Sequence, residues 1–380
     1  MKIGIITQPL HDNYGGLLQN YALQQALKKL GHEVITLDQK ETPVSHIRFI
    51  ASILKTFILK MVGRGSNRAY PFDRINEKKI AYTRTNTQHF VDKYIVHTPA
   101  MYKMADFRSF CINNKIDVLI AGSDQVWRPC YNDNIYRSFF DFAKGLDIKR
   151  YAYAASFGVD CWEFTEEQTL KCKELLKLFD AISVREKSGI DLCKIYFNRK
   201  AEHVLDPTML LDKEDYESLV HKENEPLSPG NLFTYILDES EEKTNIIANV
   251  AKSLDLVPFR VMPKYKLNKN TIQQIDECVY PPVTQWLRAF MDAEFVVCDS
   301  FHGAVFSIIF NKPFIVIGNK KRGMARFKSL LETFELSGRI TTDVENVSSL
   351  ANIPIIWEKV NELLAGQRKI SFEYLKSNLK

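Results

Sequence analysis

Apolar residues along this chain follow two periods, and the switches between them mark out the elements. Ile3–Thr7 is a short continuous apolar run, the pattern of a strand buried on both faces. The turn Asn13-Tyr14-Gly15-Gly16 comes next. Leu17, Leu18, Tyr21, Ala22, Ala26, Leu27 and Leu30 then recur at helical spacing. Gly31 stops that helix, and Val34–Asp38 is the next strand, which makes a βαβ unit of Rossmann type. Short apolar runs follow at 116–121, 150–155, 180–184 and 202–205, with helical patterns between them, as at 165–179. Buried strands alternating with helices predict a parallel sheet covered on both faces.

Residues 221–230 are polar and contain two prolines and a glycine, the composition of a domain boundary. Beyond them the alternation restarts. Strands are predicted at 232–237, 257–262, 278–280, 295–298 and 314–317, and helices near 241–254, 283–292 and 303–310. A last helix is predicted over 354–365, followed by a basic tail. The expected organisation is an N-terminal Rossmann-like domain over 1–225, a second over 226–345, and a helix with tail over 346–380. The fold class is α/β, with two domains facing a cleft. Residues 46–63 stand apart, because Ile47, Ile50, Ile53, Leu54, Phe57, Ile58 and Met61 share one helical face and Arg48, Lys55 and Lys60 the other. Such a basic amphipathic helix either caps its own domain, as its broad apolar face favours, or makes peripheral contact with an anionic membrane surface.

Composition narrows the function classes. With 380 residues, 45% apolar and 26% charged, the chain is an ordinary globular sequence able to bury a large core. The net charge of +5 is too mild to demand nucleic acid. It is unevenly spread, since residues 40–110 hold 13 Lys/Arg against 5 Asp/Glu and form a basic helical insertion in the first domain. Seven irregularly spaced cysteines without a C-x-x-C pair predict reduced thiols in a cytoplasmic protein and argue against a cysteine zinc site. The opening MKIGIITQP has no secretory pattern, and no apolar stretch reaches the length of a membrane span.

Ligands of open parallel sheets bind beyond the carboxyl ends of the strands, so the segments after each strand hold the candidate chemistry. After the first come Asn13, Gly15 and Gly16, with Gln19 one turn on. Later segments bring Ser123, Asp124 and Trp127, then Ser156-Phe157-Gly158, then Arg185, then Asp206-Pro207-Thr208. The sharpest is Asp299-Ser300-Phe301-His302-Gly303. Ser300 is placed to cap a helix whose first turn carries His302, with the small Gly303 beside it. Free N–H groups there bind anions, and a histidine beside an anion serves as general acid or base, or as a hydrogen-bonded structural residue. Arg185 binds a phosphate or carboxylate, or makes an ordinary ion pair. Asp124 and Trp127 contact a sugar face, or Trp127 belongs to the core. Lys320, Lys321, Arg322 and Arg326 form a basic loop that closes over an anion or is simply solvated. Dinucleotide, Walker A and nucleophile-elbow motifs are missing, and the histidines lack metal-ligand spacing.

In order along the chain, NYGGLLQNYAL (13–23), AGSDQVW (121–127), YAASFG (153–158), SVREKSG (183–189), VLDPTMLL (204–211) and DSFHGAVFSIIFNKPFIVI (299–317) resemble the polysaccharide pyruvyl transferase family. The resemblance covers most of residues 1–330. It implies a GT-B-like pair of domains and transfer of a pyruvyl group from phosphoenolpyruvate to a saccharide, giving a pyruvate ketal on a surface polysaccharide or exopolysaccharide precursor. The acceptor would be lipid-linked or nucleotide-linked, and no cofactor or metal is expected beyond the donor. His302 would be the general acid/base and Arg185 would hold phosphate or carboxylate. In some members an arginine stands two residues before the histidine, where this chain has Ser300. Its anion pocket would then rely on Arg185, helix N–H groups and Arg322 or Arg326. Two other classes share these features: a GT-B glycosyltransferase using a nucleotide-sugar donor, and a saccharide- or partner-binding module without activity.

Overall fold

In the computed structural model the strands of the first half are β1 (Lys2–Ile6), β2 (Glu33–Thr36), β3 (Val118–Ala121), β4 (Lys149–Ala155), β5 (Ala181–Val184) and β6 (Glu202–His203). The structure describes residues 1–40, 50, 54, 77–318, 323–342 and 347–380. The six strands form a wholly parallel sheet in the order β2-β1-β3-β4-β5-β6. The second half gives β7 (Leu232–Tyr235), β8 (Pro258–Phe259), β9 (Phe295–Cys298), β10 (Phe314–Ile317) and β11 (Ile340–Thr341). These make a second parallel sheet, β11-β10-β9-β7-β8. In each sheet the strand order reverses once, between β1 and β3 and between β7 and β9, and a crevice opens at such a point.

The described helices are α1 (Tyr14–Lys29), α2 (Glu77–Thr83), α3 (Thr85–Tyr94), α4 (Met104–Asn113), α5 (Glu166–Leu176), α6 (Lys187–Leu192) and α7 (Lys213–Lys222) in the first half. They are followed by α8 (Glu241–Leu254), α9 (Val283–Asp292), α10 (Phe301–Ile309), α11 (Ala325–Thr333), α12 (Val347–Ala351) and α13 (Trp357–Asn378). Their starts are set by local chemistry. The Asn13 side chain accepts from Gly16 N at the head of α1, Thr165 and Gln168 form a capping box on α5, and Ser240 accepts from Lys243 N on α8. Ser300 occupies the cap position of α10, but its side chain makes no capping hydrogen bond.

Four sequence expectations are corrected. Residues 278–280 are not a strand, since a 3-10 segment runs over Ile272–Cys278 and leads directly into α9. The strand expected over 257–262 pairs only at Pro258–Phe259. The last helix runs to Asn378 rather than 365. It continues because Ser371, Tyr374 and Leu375 fall on one face and are buried. That face returns to the first domain: Tyr374 donates to Ala152 O on β4 at 3.0 Å, and Ser371 Oγ accepts from Leu205 N at 3.0 Å. Finally, α7 lies before the expected boundary yet packs on the second domain, with Tyr216 edge-on to Phe306 at 4.9 Å. The amphipathic pattern at 46–63 lies outside the described residues apart from Ile50 and Leu54, and Lys320, Lys321 and Arg322 lie outside them entirely.

One hydrophobic cluster crosses between the halves. It joins Tyr14, Leu17 and Leu18 of α1 with Trp286 and Phe290 of α9 and Phe301, Val305 and Phe306 of α10. Burial of this apolar surface brings the start of α1 against the start of α10, and with them the carboxyl ends of the two sheets.

Candidate active site

Four strand ends and one helix start converge between the domains. Arg185, following β5, is wholly buried yet charged. Its Nη1 donates to Asp206 Oδ2 at 2.9 Å, and its Nη2 lies 3.5 Å from Asp124 Oδ1. Burial disfavours the guanidinium's charge, but Asp206, Asp124 and Glu186 outweigh it and hold its pKa above the ordinary value. Nε and Nη2 nevertheless have no hydrogen-bond partner among the described residues. A buried guanidinium with one donor unbonded and another held only by the longer ion pair to Asp124 is costly unless a ligand completes it.

Asp206, following β6, is the hub. Its Oδ1 accepts from Thr208 N at 3.0 Å and Thr208 Oγ1 at 2.7 Å, while Oδ2 accepts from Arg185 and, at 2.9 Å, from Ser123 Oγ. His302 Nε2, on the first turn of α10, stands 3.6 Å from the same Oδ2 and has no hydrogen-bond partner among the described residues. Burial alone would raise the Asp206 carboxyl. The His302, Arg185 and Thr208 interactions override it and hold the group far below the usual carboxylate range.

Gly15 explains how the histidine fits. A β-carbon there would lie 2.1 Å from His302 Nδ1, so only glycine lets the head of α1 pass against the ring. Asn13 caps α1 with its Oδ1 and donates from Nδ2 to Asp124 Oδ2 at 3.2 Å. Asp124 takes a left-handed backbone (φ 71°) and braces itself by accepting Gln125 N on its own Oδ1 at 2.9 Å. Two cations lie near Phe301. The Arg185 guanidinium is 4.3 Å from its ring centre and that of Arg326 5.8 Å. Arg326 is in the first turn of α11 rather than in a loop, and burial together with the nearby Arg185 pushes its pKa down to about 10.

The remaining expected residues do structural work. Trp127 is fully buried, stacked on Phe139 at 5.1 Å and packed near Phe157, so the core reading replaces sugar stacking. Gln19 is buried and ties Thr7 Oγ1 (2.7 Å) to Gly16 O (2.9 Å). Gly16 receives the Asn13 cap, and Gly303 is small because a β-carbon would meet Cys298 Cβ at 2.7 Å. Three features escaped the sequence. Asp206 was visible only as a residue after a strand. Glu186 Oε1 accepts from Ser156 Oγ, Phe157 N and Gly158 N at 2.7–3.1 Å and fixes that turn. Gly323 (φ 89°) sits where a β-carbon would meet Gly158 O at 2.2 Å, so a loop of the second domain rests on the first beside the site.

The overall arrangement is similar to solved enzymes of nucleotide-sugar chemistry. A protein described as a UDP-N-acetylglucosamine 2-epimerase from Listeria monocytogenes superposes with a TM-score of 0.51 at 11% identity, over 96% of this chain and 91% of that one. The UDP-GlcNAc 2-epimerase of Neisseria meningitidis, bound to UDP-GlcNAc, gives 0.50 at 10% identity, over 100% and 99%. At such identities the likeness establishes a GT-B-like fold and nothing more. No curated protein matches the sequence. The profile of the family described as polysaccharide pyruvyl transferase matches residues 13–321. That span contains Gly15, Ser123, Arg185, Asp206 and His302, and the chain belongs to the polysaccharide pyruvyl transferase family.

Proposed function

We propose that the protein transfers a pyruvyl group from phosphoenolpyruvate to a saccharide precursor of a surface polysaccharide. The observation that carries this reading is the trio of buried atoms without hydrogen-bond partners among the described residues, Arg185 Nε, Arg185 Nη2 and His302 Nε2, gathered around one carboxylate between the domains. They suit a small polyanion bearing a group to be protonated. Arg185 would hold phosphate or carboxylate, with Arg326 adding charge from across Phe301. That second guanidinium supplies the cation which Ser300 lacks.

In the proposed reaction His302 adds a proton to the methylene carbon of the donor, leaving positive character at the adjacent carbon. A sugar hydroxyl forms a bond there, phosphate leaves, and a second hydroxyl closes the ketal. The two hydroxyl protons balance the one now in the methyl group and the one carried off by phosphate. Neither domain alone carries both His302 and Arg185, so the chemistry belongs to the closed pair.

The test is thermal stabilisation by phosphoenolpyruvate against a panel of nucleotide sugars. A ligand bound only by the native state raises the midpoint. Phosphoenolpyruvate alone is expected to raise it in the wild type and in His302→Ala, but not in Arg185→Ala. Saccharide-dependent phosphate release should fall by about 10²–10⁴ in His302→Ala. A rise with a nucleotide sugar instead would replace this reading with glycosyl transfer.

A further inference from the structure

Asp206 Oδ2 serves three groups unequally. Arg185 Nη1 and Ser123 Oγ each sit 2.9 Å from it, while His302 Nε2 waits at 3.6 Å. As the cluster stands, the guanidinium and the hydroxyl hold the carboxylate by hydrogen bonds and the imidazole is the most distant member. The guanidinium edge not used by Asp206, Nε and Nη2, makes no hydrogen bond among the described residues, with Asp124 Oδ1 3.5 Å from Nη2, and is the edge left for an incoming anion.

We propose that Asp206 is a positioning residue through which donor binding loads a proton onto His302. The inference rests on the phosphoenolpyruvate reading above. An anion on Nε and Nη2 cancels the charge of Arg185 as seen by its neighbours. Asp206 then faces the imidazole without a counter-charge, and a proton passes from solvent to Nε2. That proton goes to the donor's methylene carbon. The neutral ring takes the proton of the attacking hydroxyl and returns it to solvent when product leaves and Arg185 again balances Asp206. One proton is taken from solvent and one is returned per turnover.

Other charged groups surround the ring. Asp124 holds Asn13 and faces Arg185. Glu186 is fastened to the 156–158 turn by Oε1. Arg326 lies by Phe301. Asp299, on the histidine's own turn, is engaged by Lys243 Nζ at 2.6 Å and by Leu237 N at 2.7 Å. These supply a standing field. The Arg185–Asp206 pair differs because an anion on the open guanidinium edge acts on it directly. Gly15 keeps the ring in place by giving up the volume beside Nδ1, which leaves Nε2 turned to the carboxylate.

The experiment is a titration of the protein with its histidines labelled with ¹⁵N, His302 being assigned by loss of its signal in His302→Gln. At saturating phosphoenolpyruvate the midpoint of His302 is expected to move up by about one pH unit in the wild type. In Asp206→Asn that movement should shrink to what the donor's own charge adds at the ring. Ser123→Ala, which removes one competing donor from Oδ2, should raise the midpoint before any donor is added. Asp206 also caps the turn at Pro207–Leu210, so if Asp206→Asn fails to fold, Ser123→Ala decides, since an unmoved His302 midpoint there overturns the coupling through Oδ2. Phosphoenolpyruvate binding with an unmoved His302 midpoint overturns the coupling and leaves the donor reading standing. Absence of phosphoenolpyruvate binding in the wild type overturns the donor reading and this inference with it.

Discussion

Gly15 has no side chain because the imidazole of His302 occupies the place a β-carbon would take. Gly15→Ala forces α1 and α10 apart at their first turns, and overpacking of this kind costs about 1–3 kcal/mol. The expected outcome is a lowered unfolding midpoint together with loss of saccharide-dependent phosphate release. Full activity with normal stability would show that the ring moves freely. His11, on the loop before α1, makes a separate prediction. Burial and the charges of Arg84 and Lys40 push its pKa down from 6.5 to about 4. Between those values the unfolded chain binds a proton that the folded chain does not. Stability is therefore full above pH 6.5 and falls as the pH drops towards 4. In His11→Gln the urea midpoint should lose less over this range than in the wild type, and equal losses would remove His11 as the source.

The elements show which parts of the pattern could be read. The helices expected near 241–254 and 283–292 are α8 and α9, and their starts follow Ser240, which caps one, and Pro282, which precedes the other. Short apolar runs located β3, β5, β9 and β10, since strands buried on both faces leave a continuous signal. Cys278–Tyr280 carried the same local signal without a partner strand, and pairing rather than composition makes a strand. Trp127 was ambiguous because a tryptophan in a glycine-bearing segment after a strand suits a sugar or a core equally. Its neighbours Phe139, Phe157 and Phe179 come from three other segments that only folding assembles. Trp127→Ala should therefore cost about 3–5 kcal/mol of stability, read from denaturant unfolding. A small loss would return the residue to the site. Asp206 was illegible for a related reason, because one carboxylate after a strand does not reveal that an arginine, a serine and a histidine from distant elements share its oxygen.

At the scale of the whole molecule, the two domains share their largest apolar cluster, with α1, α7, α9 and α10 all contributing. Domains that share a core should melt together. Calorimetry is expected to give a single transition, with the calorimetric enthalpy equal to the van't Hoff value. Two separated transitions would mean that the interdomain cluster adds little to stability. The shared core also bears on ligand access. Arg185 and His302 come from different halves, and Gly323 rests on the carbonyl of Gly158 beside them, so the site is assembled by the closure of one half on the other.

Helix α13 has a consequence for how the protein is made. Tyr374, Leu375 and Leu379 fill the face of the first sheet that also holds Ile3, Ile5, Val118 and Ile120. A ribosome delivers β1 well before these residues, so the first sheet is completed only after the strands of the second have been made. Until they emerge, the part of that face not covered by Leu23, Ala26 and Leu27 of α1 is an apolar surface exposed to chaperones and to its own neighbours on the polysome. Nascent chains halted before residue 371 should stay protease-sensitive in the first domain, and extension past Leu379 should convert them to the resistant form.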